Sequence, residues 1–254
     1  MKLAITRAIS PRFNECELTH IDRAPIDLER AKAQHGAYIR ALQELGCAVI
    51  ELSAEPNLPD SVFVEDAAIV LPEVAVITRL GADSRKPETE SISKALRPYR
   101  DLLYITKPAT LDGGDVLVIG KTIYVGLSTR STLDAVEQLT EQLRPYGYVV
   151  QGVTVTDCLH LKSAVTRIDD NTVLLNPKWV DPHLFAAYRV IDVAEDEPHA
   201  ANVLPVDGAL ILPTAFPNTA ARLKEHGYRL CQVDVAELAK AEGAVTCCSV
   251  LFDA

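Results

Sequence analysis

The strongest constraint on the fold is a unit that recurs about every 40 to 50 residues along the chain. In each unit two short apolar runs flank a turn, a helical stretch follows, and a further apolar run closes the unit. Four such pairs of runs occur at 64–79, 114–127, 163–176 and 202–213. The turn Asp207-Gly208 in the last of these pairs is a strong hairpin signal.

A fifth unit is split between the two ends of the chain. Cys247 to Phe252 supplies one predicted strand, and Leu3 to Ile9 supplies its partner. Helical periodicity fills the intervals between the paired runs, most clearly over Leu28 to Leu45, where Asp27 is the candidate N-cap. Shorter helical stretches are predicted at 89–99, 131–146, 218–226 and 235–241.

Five ββαβ units predict a closed radial array, an α/β propeller with five blades. Closure protects strand edges that an open stack would expose, and pairing of the last strand with the first would lock the ring. No linker or composition break interrupts the chain, so we expect a single domain over residues 1–254. A doubly wound α/β sheet is the alternative, but simple βαβα alternation is missing.

Charge and composition limit the kinds of partner that this chain is expected to bind. The net charge is −10 and no basic stripe is present, which argues against nucleic acid and anionic membranes and favours a cationic small molecule. No stretch approaches the roughly 18 apolar residues of a transmembrane helix. The first ten residues are better interpreted as a strand than as a signal peptide. Six cysteines without a C-x-x-C pattern are then expected to be reduced, in a cytoplasmic protein.

Polar residues cluster where the inner strands of the predicted ring begin, and these positions approach the central axis. They are Glu65 and Asp66, Asp112 to Asp115, His160 to Ser163, Ala201 and Asn202, and Cys247. Carboxylates, one histidine and one cysteine therefore converge from distant parts of the chain. Because side chains alternate along a strand, only one of Cys247 and Cys248 can face the axis.

Each of these signals has an ordinary structural interpretation. Cys247 could be a core thiol and His160 a buried structural histidine. Asp112-Gly113-Gly114-Asp115 could be a plain turn, and it lacks the glycine patterns of phosphate-binding loops. Surface arginines are the simplest interpretation of Arg85 and Arg130. A functional interpretation is favoured by the order in which carboxylates, histidine and cysteine occur across the repeat, and not by any one of these residues alone.

Six ordered motifs carry a resemblance to a known family. They are LPDSVFVED at 58–66, ITRLGADSR at 77–85, LDGGDVL at 111–117, VGLSTR at 125–130, HLKS at 160–163 and TCCSVL at 246–251. Together they span essentially the whole chain. In this set the sequence resembles the dimethylarginine dimethylaminohydrolases of the guanidino-modifying (pentein) superfamily, whose fold is a five-bladed α/β propeller.

The resemblance implies a role for each matching residue. Cys247 would be the nucleophile, His160 the general acid and base, and Asp112 the residue that orients the histidine. Asp60 and Asp66 would anchor a guanidinium, with Glu65 beside them. Arg85 and Arg130 would hold the substrate carboxylate, Leu18 would contact the substrate from a mobile lid at about 11–22, and the carbonyl of Ala241 would contact the substrate amine.

The implied reaction hydrolyses N-ω-methylated arginines to citrulline and methylamines through a covalent cysteine thiouronium intermediate, without metal or cofactor. Two alternatives stay open: an arginine deiminase or other guanidine hydrolase of the same superfamily, and a non-catalytic binder of arginine-like ligands. The HLKS and LDGGDV strings favour the dimethylarginine type over a deiminase, and joint presence of Cys247 and His160 disfavours a mere binder. The sequence leaves the oligomeric state open, with a homodimer as one option.

Overall fold

The computed structural model describes all residues, 1–254, and contains fifteen strands and six α-helices. The strands are β1 (Lys2–Arg7), β2 (Ala48–Leu52), β3 (Ala68–Val70), β4 (Val74–Ile77), β5 (Asp101–Tyr104), β6 (Val116–Ile119), β7 (Thr122–Leu127), β8 (Val149–Thr154), β9 (Val165–Arg167), β10 (Thr172–Leu175), β11 (Arg189–Asp192), β12 (Leu204–Val206), β13 (Ala209–Pro213), β14 (Arg229–Val233) and β15 (Val250–Asp253). The helices are α1 (Leu28–Glu44), α2 (Thr89–Leu96), α3 (Leu133–Leu143), α4 (Leu161–Ala164), α5 (Pro217–Glu225) and α6 (Ala236–Ala239).

The strands form five three-stranded sheets of one design. In each sheet the inner strand is antiparallel to the middle strand, and the middle strand is parallel to the outer strand. Residues of all five inner strands, β3, β6, β9, β12 and β15, line one central cavity of about 920 Å³. The five sheets are therefore blades around a common axis, and the predicted five-bladed α/β propeller is confirmed.

The two chain ends close the ring. Strand β15 is antiparallel to β1, with Phe252 opposite Leu3, and β1 is parallel to β2. The split fifth unit is therefore confirmed, although its inner strand starts later than predicted, at Val250 instead of Cys247. Cys247 lies in the turn that precedes β15.

Helix α1 shows how the sequence produces these elements. The Asp27 side chain accepts a hydrogen bond from the Arg30 N–H at 3.0 Å, which caps the helix as predicted. Its apolar face is fully buried at Ala31, Tyr38 and Leu42. The Tyr38 hydroxyl also lies 2.7 Å from the Ser249 hydroxyl, so this helix supports the segment that carries Cys247.

Short helical turns precede three of the inner strands, at 64–67 before β3, at 113–115 before β6 and at 161–164 before β9. The sequence prediction had placed the polar residues on the strands themselves. A turn directs consecutive side chains to different sides and leaves backbone N–H groups free to bind carboxylates. Two such groups do so, since Gly114 N–H donates to Asp66 and Leu161 N–H donates to Asp115, both at 2.9 Å.

Five clusters of buried apolar side chains pack between the blades and the outer helices. None of the α-helices combines the length and the apolar character that a bilayer crossing demands. The assignment of residues 1–254 to a single domain stays a prediction.

Candidate active site

A small pocket lies beside the turns that precede the inner strands. Its walls are Glu17, Asp60, Phe63, Asp66, Arg85, Arg130, Leu159, His160, Ala241, Glu242, Gly243 and Cys247. The large central cavity reaches the other side of the same turns, where Glu65, Gly113, Lys162 and Thr246 line it. Neighbouring residues in these turns therefore face two different spaces.

His160 is the last residue before α4 and is almost completely buried. Its Nε2 lies 3.1 Å from Oδ2 of Asp112, which comes from the turn before β6. The other oxygen of Asp112 accepts a hydrogen bond from the Gly81 N–H at 2.8 Å, which fixes the carboxylate. The resulting pair, 48 positions apart in sequence, has the geometry of a histidine oriented by an acid.

Asp66 approaches the imidazole from another side. One of its oxygens accepts from the Gly114 N–H at 2.9 Å and the other accepts from Nη1 of Arg85 at 2.8 Å. A β-carbon at Gly114 would come within 2.7 Å of Nδ1 of His160 and 2.8 Å of Oδ1 of Asp66. Only glycine fits here, so Gly114 lets the carboxylate and the imidazole approach each other closely.

Three carboxylates determine the protonation state of His160. Burial alone would lower its pKa, but the charges of Asp66, Asp115 and Asp112 outweigh burial and raise the pKa to about 9. Burial would likewise raise the pKa of Asp66, yet His160 and Arg85 hold it below its usual value. At neutral pH the pocket therefore contains an imidazolium and an ionised carboxylate.

The two adjacent cysteines have different environments. Cys248 is fully buried in an apolar cluster, whereas Cys247 is partly exposed and lines the pocket with His160 and Asp66. Burial and the nearby charges of Glu65 and Asp66 raise the pKa of Cys247 to about 12. Without a bound cation the Cys247 thiol is therefore protonated at neutral pH.

The two arginines are not equivalent. Arg85 is saturated, because it binds the Glu88 carboxylate through Nε and Nη2 in addition to Asp66. Burial, partly offset by Arg85, raises the pKa of Glu88 to about 7. Arg130 donates through Nη2 to the Thr19 hydroxyl at 3.0 Å, while its buried Nη1 has no hydrogen-bond partner. An anion that entered the pocket would find its open donor at Arg130.

The segment at 11–22 covers the pocket. The Glu17 N–H donates to both oxygens of Asp60 at 3.2 and 3.1 Å, and the carboxylate of Glu242 accepts from the N–H groups of Thr19 and His20 at 2.7 and 2.6 Å. The covered pocket encloses about 20 Å³, which is room for about one water molecule. An amino acid can enter only if this lid moves.

Three of the predicted substrate residues, Ala241, Leu18 and Glu65, lie in three different environments. Ala241 lines the pocket. Leu18 packs against an apolar cluster while its neighbour Glu17 lines the pocket. Glu65 lies on the cavity side, where it pairs with Lys162 at 2.5 Å and accepts from the Thr246 hydroxyl at 2.6 Å. The structure thus separates Glu65 from Asp66, and the predicted substrate contacts of Leu18 and Glu65 stay predictions.

Asp66, Asp112 and His160 offer ligand atoms within 4.8 Å of one another. Cationic groups already occupy this space, because Arg85 pairs with Asp66 and Nη1 of Arg130 lies 3.8 Å from Asp112. A metal ion would compete with them for the same oxygens. The group is therefore better suited to proton transfer than to metal binding.

Several pocket residues were not among the predicted site residues. They are Glu17, Phe63, Leu159, Glu242 and Gly243. Three of the five, Glu17, Leu159 and Glu242, directly adjoin a predicted site residue, and adjacency was the signal that could have found them. Phe63 lies inside the motif at 58–66. Phe63 and Gly243 also form a close pair, since a β-carbon at Gly243 would come within 2.2 Å of the Phe63 ring.

Comparisons with known proteins agree with this geometry. A family model described as N,N dimethylarginine dimethylhydrolase, eukaryotic, matches residues 17–251. The N(G),N(G)-dimethylarginine dimethylaminohydrolase of Streptomyces coelicolor is 42% identical over 98% of this chain and 96% of its own length.

Two solved structures have nearly the same fold. One is the Pseudomonas aeruginosa dimethylarginine dimethylaminohydrolase, a cysteine-to-serine mutant complexed with citrulline, with a TM-score of 0.94, 32% identity and 98% coverage of both chains. The other is a dimethylarginine dimethylaminohydrolase with a histidine-to-glycine substitution, an adduct with S-methyl-L-thiocitrulline, with a TM-score of 0.94, 31% identity, and coverage of 99% of this chain and 100% of that one. By its sequence and its fold, this chain belongs to the dimethylarginine dimethylaminohydrolase family.

Proposed function

We propose that this protein hydrolyses N-ω-methylated arginines to citrulline and methylamine or dimethylamine. The observation that carries the proposal is the joint placement of Cys247, His160 and Asp66 in one buried pocket that also contains a guanidinium group, Arg130, with an unused donor. Hydrolysis of this substrate requires four groups: a nucleophile, a proton carrier, an anion for the guanidinium and a cation for the carboxylate.

Substrate binding follows from charge and shape. The substrate guanidinium is cationic and donates hydrogen bonds, so the buried carboxylates of Asp60 and Asp66 suit it. Its α-carboxylate would satisfy the free Nη1 of Arg130. Phe63 and Leu159 give the pocket apolar walls, which accommodate methyl groups on the guanidine better than they accommodate further N–H donors.

The bound cation activates the nucleophile. The raised pKa of Cys247 comes from burial and from the anions Glu65 and Asp66, and a guanidinium beside the sulfur counters both effects. The thiol proton leaves to solvent as the substrate enters, and the thiolate attacks the central guanidine carbon. The two carboxylates hold that carbon close to the sulfur, which replaces a random encounter by fixed orientation.

His160 then carries two protons in sequence. As an imidazolium it donates a proton to the departing amine, the C–N bond breaks, and a thiouronium group stays on Cys247. The neutral imidazole next takes a proton from water, and the hydroxide adds to the same carbon. Collapse of this adduct breaks the C–S bond, the proton of the added hydroxyl passes to the departing sulfur, and citrulline and the Cys247 thiol are released. Asp112 holds the ring in place through both steps.

A substrate panel tests the proposal. The purified protein should form citrulline from monomethylarginine and asymmetric dimethylarginine, and much less from arginine. Equal or faster turnover of arginine would instead assign the chain to the arginine deiminase type. Binding of all three compounds with no citrulline would identify a non-catalytic binder.

We expect Asp112→Asn to shift the alkaline limit of activity. The pKa of His160 is raised to about 9, so kcat, measured with saturating substrate that has already ionised Cys247, should persist below about pH 9 and fall above it as the imidazolium loses its proton. Loss of one carboxylate lowers this pKa, so the alkaline limb moves to lower pH. The maximal rate should also fall by ~10²-fold or more, because the imidazolium loses its orienting anion. The pH profile of citrulline formation measures both.

The control for this variant is Asp101→Asn, which removes an exposed carboxylate at the start of β5. Its profile should match that of the unmodified protein. An Asp112→Asn profile with its alkaline limb still near pH 9 would remove Asp112 from the proposed role.

We expect Arg130→Gln to raise KM by ~10²-fold while kcat changes little, because this residue binds a group remote from the reacting carbon. A methylated guanidine that lacks the α-carboxylate provides the second arm of a double cycle. It should bind weakly to the unmodified protein, and Arg130→Gln should weaken it little further. Equal losses for both substrates would show that Arg130 acts on the fold and not on the carboxylate.

The cytoplasmic location and the homodimer are further proposals. All six cysteines are free thiols, which supports a reducing compartment. Light scattering on the purified protein would test for the dimer.

A further inference from the structure

Asp115 is a fully buried carboxylate that the reaction scheme does not use. It accepts three hydrogen bonds: from the Ser128 hydroxyl at 2.6 Å, from the Ser131 hydroxyl at 2.7 Å and from the Leu161 N–H at 2.9 Å. Both hydroxyls donate to Oδ2, and the backbone group donates to Oδ1. The carboxylate therefore joins two separate parts of the chain.

Oδ1 anchors the segment of the acid–base residue. Leu161 directly follows His160, and the turn continues with a hydrogen bond from the Ser163 N–H to the His160 carbonyl at 3.0 Å. His160 itself has an extended backbone at the start of this turn. The position of the imidazole thus depends on where Oδ1 of Asp115 holds the first N–H of α4.

Oδ2 anchors the segment of the carboxylate-binding arginine. Ser128 and Ser131 flank Arg130, and the Ser128 oxygen accepts from the N–H groups of Arg130 at 3.0 Å and Ser131 at 3.3 Å. The Ser131 oxygen accepts from the N–H of Asp112 at 3.1 Å. The same carboxylate oxygen therefore positions Arg130 and the residue that orients the histidine.

The surroundings leave the carboxylate little freedom. A β-carbon at Gly126 would come within 2.6 Å of Oδ1 of Asp115 and 2.9 Å of Cβ of Leu161, so only glycine fits opposite it. Ser128 already uses its two lone pairs for backbone N–H groups, and only its proton is left for Asp115. An amide at position 115 has one oxygen in place of two, so its NH2 would face either the two hydroxyls or the Leu161 N–H, and either orientation disrupts part of the arrangement.

We propose that Asp115 is a positioning residue, whose carboxylate sets the segment of His160 and the segment of Arg130 relative to each other. The inference rests on the proposed function, which assigns acid–base catalysis to His160 and binding of the substrate carboxylate to Arg130. Asp115 also adds a third negative charge near the imidazole, beside Asp66 and Asp112, while Arg85 and Arg130 are the cations that face those two carboxylates.

The first test is Asp115→Asn, measured by kcat and KM with dimethylarginine. We expect kcat to fall and KM to rise together, with a loss of ~10²-fold in kcat/KM, because a misplacement of about 1 Å has that cost. Ser128 contacts neither His160 nor Asp112 directly, and its nearest functional neighbour is Arg130, so Ser128→Ala should raise KM by a larger factor than it lowers kcat. Gly126→Ala displaces the carboxylate without removing it, and should resemble Asp115→Asn.

The matched control is Glu197→Gln. Glu197 is also a buried carboxylate that joins two segments, since it accepts from the N–H groups of Asn218 at 2.8 Å and Thr219 at 2.7 Å, but it lies outside the pocket. Its loss should lower the unfolding temperature and leave kcat and KM unchanged. If Asp115→Asn also lowers only the unfolding temperature, Asp115 is merely structural and the proposal is overturned.

A second readout does not depend on turnover. In NMR spectra of histidine-labelled protein, Asp115→Asn should shift the His160 ring signals and lower the pH at which they titrate, whereas Glu197→Gln should change neither. Unchanged His160 signals in Asp115→Asn would overturn the proposal even if the unmodified protein hydrolysed none of the guanidines. Conversely, a protein without turnover but with the expected NMR shifts would refute the proposed function alone.

Discussion

Cys247→Ser should lower citrulline formation from dimethylarginine by at least ~10⁴-fold, because the reaction needs a covalent bond to this atom. A serine hydroxyl ionises far less readily than a thiol, and the anions Glu65 and Asp66 that raise the pKa of Cys247 to about 12 would oppose an alkoxide even more. Binding should survive, since the carboxylates and Arg130 are unchanged. Calorimetric titration with dimethylarginine, set beside a citrulline assay, separates the two effects.

The neighbouring thiol provides the control. Cys248→Ser changes the same functional group one position away, in a side chain that is fully buried in an apolar cluster. A hydroxyl there costs about 1–3 kcal/mol of unfolding free energy and should leave turnover of the folded protein intact. Substantial citrulline formation by Cys247→Ser, or a comparable loss of activity in Cys248→Ser, would refute nucleophilic catalysis by Cys247.

The blades were predictable because each depends on local patterns. Paired apolar runs, a turn and a following helix repeat five times, and the turn residues have the required backbone conformation, with positive φ at Asp207, Gly208 and Gly120. Closure of the ring followed from one further argument, the pairing of the two chain ends. The antiparallel pairing of β15 with β1 confirms it.

The detailed arrangement of the site depends on contacts that no local pattern contains. Glu65 and Asp66 are adjacent and chemically similar, yet one faces the cavity and the other faces the pocket. A tertiary hydrogen bond, from the Glu65 N–H to the Cys247 carbonyl at 3.2 Å, helps to decide which way each points. The same bond ties together two turns 182 positions apart, where strands had been predicted.

The partners of the arginines illustrate the same limit. Glu88 follows Arg85 by three positions, a spacing that brings side chains together in a helical turn, so this pair could have been inferred from the sequence. The unused donor of Arg130 could not have been inferred from the sequence, because its burial arises from the packing of the lid and of the turn that carries Asp112. Sequence patterns place Asp66, Asp112, His160 and Cys247 near one another, whereas their individual hydrogen-bond partners require the fold.

His160→Gln should separate the two halves of the reaction. Dimethylamine leaves only as a neutral amine, so it needs a proton from the imidazolium, and turnover of dimethylarginine should fall by ~10³-fold or more. S-methyl-L-thiocitrulline differs at this step, because methanethiolate leaves without a proton. Its cationic isothiourea still favours the Cys247 thiolate, so the C–S bond to the protein should form while the C–SCH₃ bond breaks.

The thiouronium formed in this way should persist in His160→Gln, because no base at position 160 removes a proton from the attacking water. Intact-protein mass spectrometry should then show one added group, equal to S-methyl-L-thiocitrulline less methanethiol. The double variant that combines His160→Gln with Cys247→Ser should lack this group. His226→Gln, an exposed histidine after α5, is the matched control and should turn over both substrates normally. If His160→Gln hydrolysed the thiouronium as fast as the unmodified protein, water activation would have to come from another group, such as the pocket carboxylate Asp66.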